Sequence, residues 1–308
     1  MVRQPPARAI IMVDGGFCSV LNKYVLGRCI EKKLSLRVEY DLSWFQHKAV
    51  DCDGKRNRSF QFTKVFPHLP FVTARSADCR VYKRRFYFKN ETPYIFSDAL
   101  FKEQGPIYVD GYYEHWKYFR ELQSELQKEL SLDHLPMAGR NKETLTAIRG
   151  SKASVSVHIR RGDFVNLGLC FLDADYYLAA IDHVAGLTCS DRPEFFLFSN
   201  DPHWVEAHIV PRLVRRHRFT VVQHNDEHTG YLDLLLIAAC DHQIASNASF
   251  GYWGGLLNRN THKIVVIPDR WTPDGVGDHG AAAGAALAHR MPGWTVLCHK
   301  TYKVIDAM

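Results

Sequence analysis

The chain has 308 residues, 46% of them hydrophobic and 23% charged, with a formal net charge of +6. This is the composition of a folded globular protein of one large or two ordinary domains. It excludes a disordered chain, and no apolar run reaches the ~20 residues of a membrane-spanning helix.

The N-terminal "MVRQPPARAIIMVDGG" holds an apolar stretch too short for the core of a signal peptide. Its segment Ala9 to Val13 reads as a first strand, ending at Asp14-Gly15-Gly16. A helix follows, with Val20, Leu21, Tyr24, Val25 and Arg28 at three- and four-residue spacings. Strand, glycine turn and helix form the opening unit of an α/β fold. Alternation in "LSLRVEYD" (34–41) predicts a second strand. Residues 42–115 are aromatic and basic without a clear period, and short helices and loops are expected there. Ile107 to Val109 reads as a strand, and Phe119, Leu122, Leu126 and Leu130 predict a helix over 114–130.

The stretch 135–154 is rich in Pro, Gly and polar residues and marks a boundary between domains 1–150 and 151–308. Beyond it strands and helices alternate. Strands are expected at 155–159, 194–201, 219–225, 242–248 and 263–268, and helices at 173–184, 203–209, 229–241 and 250–258. That rhythm predicts a parallel sheet with helices on both faces. The Ala/Gly-rich segment 275–294 reads as a loop with a weak helix.

Eight cysteines lie scattered at positions 18, 29, 52, 79, 170, 189, 240 and 298, with no C-x-x-C pair. They read as reduced thiols of a cytoplasmic protein, so the sequons at Asn57, Asn90 and Asn247 carry no glycosylation meaning. Two basic clusters, Lys83-Arg84-Arg85 and Arg212 to Arg218, are either solvated faces or contacts to an anionic inner-membrane surface or a polyanion.

In parallel sheets ligands bind beyond the carboxyl ends of the strands. Those ends are Asp14-Gly15-Gly16, His158 to Asp163, Ser199-Asn200-Asp201, His224-Asn225-Asp226 and Ser246-Asn247-Ala248-Ser249. In "VSVHIRRGDFV" (155–165), Val155, Val157 and Ile159 share one face, while Ser156, His158 and Arg160 share the other. Arginine offers phosphate a planar fork of donors. Ser246 to Ser249 leads into a helix, whose N-terminus binds anions. Taken singly, the arginines could form a surface salt bridge and the serine turn a plain N-cap. Together, at two strand ends of one sheet, they favour a diphosphate. No G-x-G-x-x-G follows the first strand and no P-loop occurs, which argues against dinucleotide oxidoreductases and P-loop nucleotidases. Asp51-Cys52-Asp53 and Asp173-Ala174-Asp175 have D-x-D spacing, but in a loop and at a helix start. Neither suits metal-bridged diphosphate. Without a metal, arginines must neutralise the leaving group.

"VHIRRGDF" resembles the H-x-R-R-G-D-[YF] motif of the α-1,2-fucosyltransferases, glycosyltransferase family 11. The resemblance continues through "VDGYYEHWKYF", "FLDADYYLAAIDHV", "FFLFSNDPHWV" and "DLLLIAACDHQIASNASFGYWGGLLN", in the family's order over most of 107–270. It implies a GT-B-like architecture of two Rossmann-like domains facing a cleft. It also implies inverting transfer from GDP-β-L-fucose to the 2-hydroxyl of a galactoside, with no metal and no cofactor. The acceptor would be a glycan under assembly, free or lipid-linked, and no nucleic acid is expected as partner. By the same resemblance Arg160 and Arg161 hold the diphosphate, and Ser246, Asn247, Ser249 and Phe250 line its other side. His158 lines the same pocket, and Asp163 orients the arginines or the sugar unless it only forms a local turn. Asp233 is a candidate reader of guanine, or an exposed acid of a first helical turn. In the family's first loop, G-G-L-G-N-Q-M-F-Q-Y-A-F-G, an Asn-Gln pair stands where this chain has Ser19-Val20. That departure leaves open a related GDP-deoxysugar such as colitose or rhamnose, or a GDP-sugar-binding protein of weak activity. Inversion needs a base for the acceptor proton; Asp14, Asp163, Glu114 and His115 are candidates by position.

Overall fold

A computed structural model of the chain describes residues 7–47, 49, 50, 54, 57–90, 96–188, 192–273 and 291–305. Its contacts divide it into two compact units, Met1–Leu130 and Ser131–Met308. No helix among the described residues is long and apolar enough to cross a membrane.

The first unit contains β1 (Arg8–Met12), α1 (Phe17–Leu34), β2 (Arg37–Asp41), α2 (Ser43–His47), α3 (Phe62–Val65) and α4 (Ser76–Arg85). β3 (Tyr87–Lys89), β4 (Ile107–Asp110) and α5 (Gln123–Glu129) complete it. The four strands pair in parallel in the order β2-β1-β4-β3. The strand, glycine turn and helix expected at the N-terminus are β1, Gly15-Gly16 and α1. Gly15 has φ 78°, and a Cβ there would stand 2.8 Å from Ser19 Oγ, so only glycine fits this turn. The helix expected over 114–130 is broken. Two 3₁₀ turns, Trp116–Tyr118 and Arg120–Leu122, precede α5. His115 Nδ1 accepts from Lys117 N at 3.1 Å, and the Tyr118 ring packs 4.9 Å from Phe96 and 5.4 Å from Tyr113. Aromatic packing there overrides the helical period.

The second unit opens with α6 (Gly139–Gly150) and β5 (Ser154–Ile159), followed by α7 (Asp163–Asn166), α8 (Ala174–Leu187) and β6 (Glu194–Ser199). Next come α9 (Pro202–His208), α10 (Val210–Leu213), β7 (Arg218–Val222), α11 (Gly230–Ala239), β8 (His242–Ile244) and α12 (Ser249–Leu257). β9 (Val265–Pro268), β10 (Thr295–Leu297) and β11 (Val304–Ile305) close it; the last two were not foreseen from sequence. The sheet order is β11-β10-β9-β8-β5-β6-β7, parallel throughout except for β11. Phe195, Phe196, Leu197 and Phe198 of β6 are all buried, as a strand covered on both faces requires. The chain winds outward from β5 through β6 and β7, then returns to lay β8, β9 and β10 on the other side. The winding direction therefore reverses between β5 and β8, where doubly wound sheets open a crevice.

The division at residue 130 corrects the expected boundary at 150. The Pro/Gly-rich stretch read as a boundary contains α6, which belongs to the second unit. Asn141 of α6 and Asn225 after β7 exchange amide hydrogen bonds of 2.9 and 2.8 Å. Asp173 caps α8 by accepting from Tyr176 N at 2.9 Å, so the second D-x-D is a helix start. Residues 51–53, and 275–290 of the Ala/Gly-rich segment, lie outside the described residues.

Candidate active site

The carboxyl ends of β5 and β8 meet at the point of reversal. His158, near the end of β5, is buried. Its Nδ1 lies 3.0 Å from Ser246 Oγ, and its ring stacks on Phe250 at 5.4 Å. Phe250 is in the first turn of α12, so the helix N-terminus is seated against the end of β5. A Cβ at Gly251 would come within 2.9 Å of His158 Nδ1 and of Ala245 Cβ, which shows how closely α12 approaches. Burial, assisted by the Arg160 charge, pushes the imidazole of His158 down to about 3. It is therefore neutral at ordinary pH, and serves as a packing and hydrogen-bonding group rather than a cation.

The neighbouring arginines play unlike parts. Arg160 Nη2 sits 2.7 and 2.8 Å from the two oxygens of Asp163, the first residue of α7. Its guanidinium lies 5.3 Å from the Phe164 ring, and its buried Nε has no hydrogen-bond partner among the described residues. One edge of this cation is held, and the other carries a buried donor without a partner among the described residues. Arg161 is engaged on several sides. Its backbone N–H donates to Asn200 Oδ1 at 2.9 Å, Nε to Asp201 Oδ2 at 3.2 Å and Nη1 to Cys170 Sγ at 3.3 Å. The guanidinium also stacks over Trp204 at 4.1 Å. Asp201 caps α9 through its other oxygen, which accepts from Trp204 N at 3.2 Å. Arg161 thus ties β5 to the start of α9. The two arginines, expected to act alike, differ in their surroundings: Arg161 is engaged on several sides, whereas the Nε of Arg160 has no hydrogen-bond partner among the described residues.

Asn247 also holds the frame: its amide donates to the carbonyls of Leu169 at 3.1 Å and Trp271 at 3.0 Å. Ser249 is the first residue of α12 and is half-buried. Asp233 sits in the first turn of α11, but it is half-buried rather than an exposed acid there. Burial pushes its carboxyl up to about 6, although Asn225 Nδ2 donates to its Oδ1 at 2.5 Å. Asn225 is itself fixed by Asn141, whose Oδ1 also lies 2.9 Å from His224 Nε2. The sequence reading had His224 and Asn225 at a strand end but missed this chain of polar groups from α6 to α11. Phe164, Trp204 and Cys170, which support the arginines, were also missed. Phe164 follows Arg160 at a spacing of four, a signal available in the sequence, whereas Trp204 lies 43 residues beyond Arg161 and gives none.

In the first unit, Asp14 follows β1 and lies 3.6 Å from the ammonium of Lys23 and 3.4 Å from Tyr112 Oη. Its Oδ1 is buried with no hydrogen-bond partner among the described residues. Lys23 is buried, donates to the Gly111 carbonyl and lies 4.7 Å from the Tyr112 ring centre. Burial pulls its ammonium downward against the charge of Asp14. Of the other residues considered as a base, Glu114 accepts from Asn22 at 3.0 Å, and His115 is pushed down to about 4 by burial. Asp163 is held by Arg160. Of the departing pair, Val20 is 2% exposed and belongs to the core, whereas Ser19 is half-buried beside Gly15.

One group among the described residues has metal-ligating types together: Asp269, Cys298 and His299, after β9 and β10. Asp269 Oδ1 already accepts from both the backbone N–H of His299 and its Nδ1, each at 2.8 Å.

The family model for glycosyl transferase family 11 matches residues 72–282. An Escherichia coli alpha-1,2-colitosyltransferase is 27% identical over 175 residues, 54% of this chain and 57% of that protein. A galactoside 2-alpha-L-fucosyltransferase of Caenorhabditis elegans is 29% identical, over 59% of this chain and 54% of that one. The O-antigen biosynthesis glycosyltransferase WbnK of E. coli is 28% identical over 38% of this chain and 39% of its own. The matches thus span about half, or less, of these relatives' length. Among solved structures, the fucosyltransferase NodZ from Bradyrhizobium superposes with a TM-score of 0.50 at 13% identity, covering 82% of this chain and 94% of that chain. That likeness bears on the fold alone, and agrees with an α/β, GT-B-like architecture of two parallel-sheet units.

Proposed function

Since the chain belongs to glycosyl transferase family 11, we propose that it transfers L-fucose, or a related deoxyhexose such as colitose, from the GDP-sugar to the 2-hydroxyl of a galactoside. The acceptor is a glycan under assembly, of the O-antigen kind. The observation that carries the reading is Arg160. A half-buried guanidinium with one edge fixed by Asp163 and an orphaned Nε stands at the reversal point of a doubly wound sheet, beside the N-terminus of α12. That arrangement suits a diphosphate, whose charge grows as it departs.

In the proposed reaction the bond between the sugar C1 and the β-phosphate oxygen breaks. The galactoside O2 bonds to C1 from the opposite face, and the O2 proton passes to a base. Arg160 stabilises the charge developing on GDP, so no metal is required. Asp163, spent on holding Arg160, acts as a positioning residue rather than as the base. Asp233 offers its second carboxylate oxygen to the guanine edge, where N1–H and the exocyclic amine are adjacent donors. The relatives that act on fucose and on colitose both support a GDP-deoxysugar donor.

GDP release should be measured with GDP-fucose, GDP-colitose and GDP-rhamnose, each with and without a galactoside. Acceptor-dependent release from at least one of them is expected. Release from UDP-sugars alone would overturn the reading. Tight GDP binding with no release from any donor would favour a second reading, a GDP-sugar-binding protein, which the Ser19-Val20 departure motivates.

A further inference from the structure

The two basic clusters of the sequence have different fates in the fold. In the second unit, Arg212 pairs with Asp175 at 2.6 Å, Arg216 with Asp182 at 2.7 Å, and His217 lies 3.3 Å from the same carboxylate. Two of that cluster's four arginines are thus paired, while Arg215, Arg218 and Val214 stay exposed. In the first unit, the stretch from Val72 to Lys89 holds six Lys or Arg and a single acid, Asp78. Asp78 is taken by Arg8 at 2.8 Å. Arg75, Arg80, Arg84 and Arg85 are exposed and have no carboxylate partner among the described residues. Exposed basic side chains normally need no explanation, but here apolar ones accompany them. Val72, Val81 and Tyr87 are 42%, 44% and 46% exposed, three of the few large hydrophobic residues left open among the described residues.

α4 organises this stretch. Cys79 and Tyr82 are its buried residues. They anchor it on β1 and β4 through Ile10 and Tyr108. The opposite side therefore faces outward, and helical spacing sets Val81 beside Arg84 and Arg85. Exposed apolar side chains set among unneutralised cations suit an anionic membrane surface, where the charged heads stay at the headgroups and the apolar parts enter the interface. A polyanion in water would draw on the cations but has no use for the exposed valines.

We propose that the outward face of α4, with Val72 and Tyr87, docks this protein on the surface of an anionic lipid bilayer. Arg80, Arg84 and Arg85 meet the headgroups, and Val81 enters the boundary with the acyl chains. Such docking would keep the enzyme close to an acceptor built on a lipid carrier, but it does not depend on the identity of the donor.

The full chain should be sedimented with vesicles of phosphatidylcholine, with and without phosphatidylglycerol. Binding should require the anionic lipid and weaken as salt rises. Each cation near such a surface contributes roughly fivefold to partitioning, so Arg80→Gln/Arg84→Gln/Arg85→Gln should bind about a hundredfold more weakly. Val81→Ser should lower binding severalfold without changing the salt dependence. Arg212→Gln/Arg216→Gln, in the paired cluster, should bind as the parent does. Unchanged circular dichroism and GDP binding would show that each variant is folded. Equal binding to neutral vesicles, an unaffected triple variant, or an equal loss in the Arg212/Arg216 variant would overturn the proposal. Retention on single-stranded RNA without any binding to vesicles would also overturn it, and would assign the face to a polynucleotide.

Discussion

The sharpest consequence of the site geometry is that adjacent arginines should fail in different ways when each is replaced by lysine. Lysine keeps the charge but loses the planar fork. At position 160 the ion pair to Asp163 runs through one terminal nitrogen, at 2.7 and 2.8 Å, and an ammonium can reproduce it. The second edge, with the orphaned Nε, has no lysine equivalent. Arg160→Lys should therefore melt close to the parent protein yet lose about 10²–10³ in kcat, the usual loss when one donor to developing charge is removed. At position 161 the fork serves the fold. It bridges Asp201 at 3.2 Å and Cys170 at 3.3 Å and stacks on Trp204 at 4.1 Å. The Asp201 side chain is 33% exposed, so its ion pair is discounted for screening. Losing the stack and the second donor costs about 1–2 kcal/mol, or roughly 2–8 °C in Tm for a unit of this size. Arg161→Lys should thus unfold earlier but turn over near the parental rate well below its Tm. Thermal melts and initial rates of GDP release on the two variants decide the matter. An inactive, fully stable Arg161→Lys beside an active Arg160→Lys would refute the assignment.

Asp233, raised to about 6, should make GDP binding pH-dependent. The ionised form accepts from guanine, so affinity should fall as pH drops through about 6, by roughly tenfold at one unit below. Calorimetry should show this loss in the parent and a much flatter profile in Asp233→Asn. The same raised value means the folded state binds a proton that the unfolded state releases between about pH 4 and 6, so this carboxyl lowers stability as pH rises across that window; Asp233→Asn should remove that slope in denaturant titrations. Gly254→Ala would place a Cβ 2.2 Å from Ile237 Cγ2, a branched methyl that cannot swing aside. It should destabilise by about 1–3 kcal/mol, partly relieved by Ile237→Ala, and an unchanged Tm would contradict the close helix contact. Ser19→Asn should alter the preference among GDP-sugars or galactosides in a folded protein, whereas Val20→Gln should mainly lower Tm; equal effects would show the pair acts as one. EDTA should leave the transfer rate unchanged, and loss of rate restored by magnesium or manganese would contradict arginine-only neutralisation.

The sequence alone determined the local grammar of this protein. Apolar runs such as "EFFLFS" and "VSVHI" mark strands buried on both faces, and each ends in polar residues that must sit at a sheet edge. The motif residues and the α/β class follow from that. Local patterns were weaker where long-range packing dominates. The helix expected over 114–130 is interrupted by the aromatic contacts of Tyr113, Phe96 and Tyr118. α6 went unseen because its glycine- and asparagine-rich start resembles a linker; what fixes it is the amide pair between Asn141 and Asn225, residues distant in the chain. Only the tertiary structure decided strand order, and with it that His158 and Ser246 meet at a reversal of the winding. It also decided which of two adjacent arginines is spent on its neighbours. A strand's period of two sends neighbouring side chains to opposite sides, but what awaits them there depends on which segments the crossovers bring back. Asp201, Cys170 and Trp204 fill the surroundings of Arg161, and the Nε of Arg160 is left without a partner.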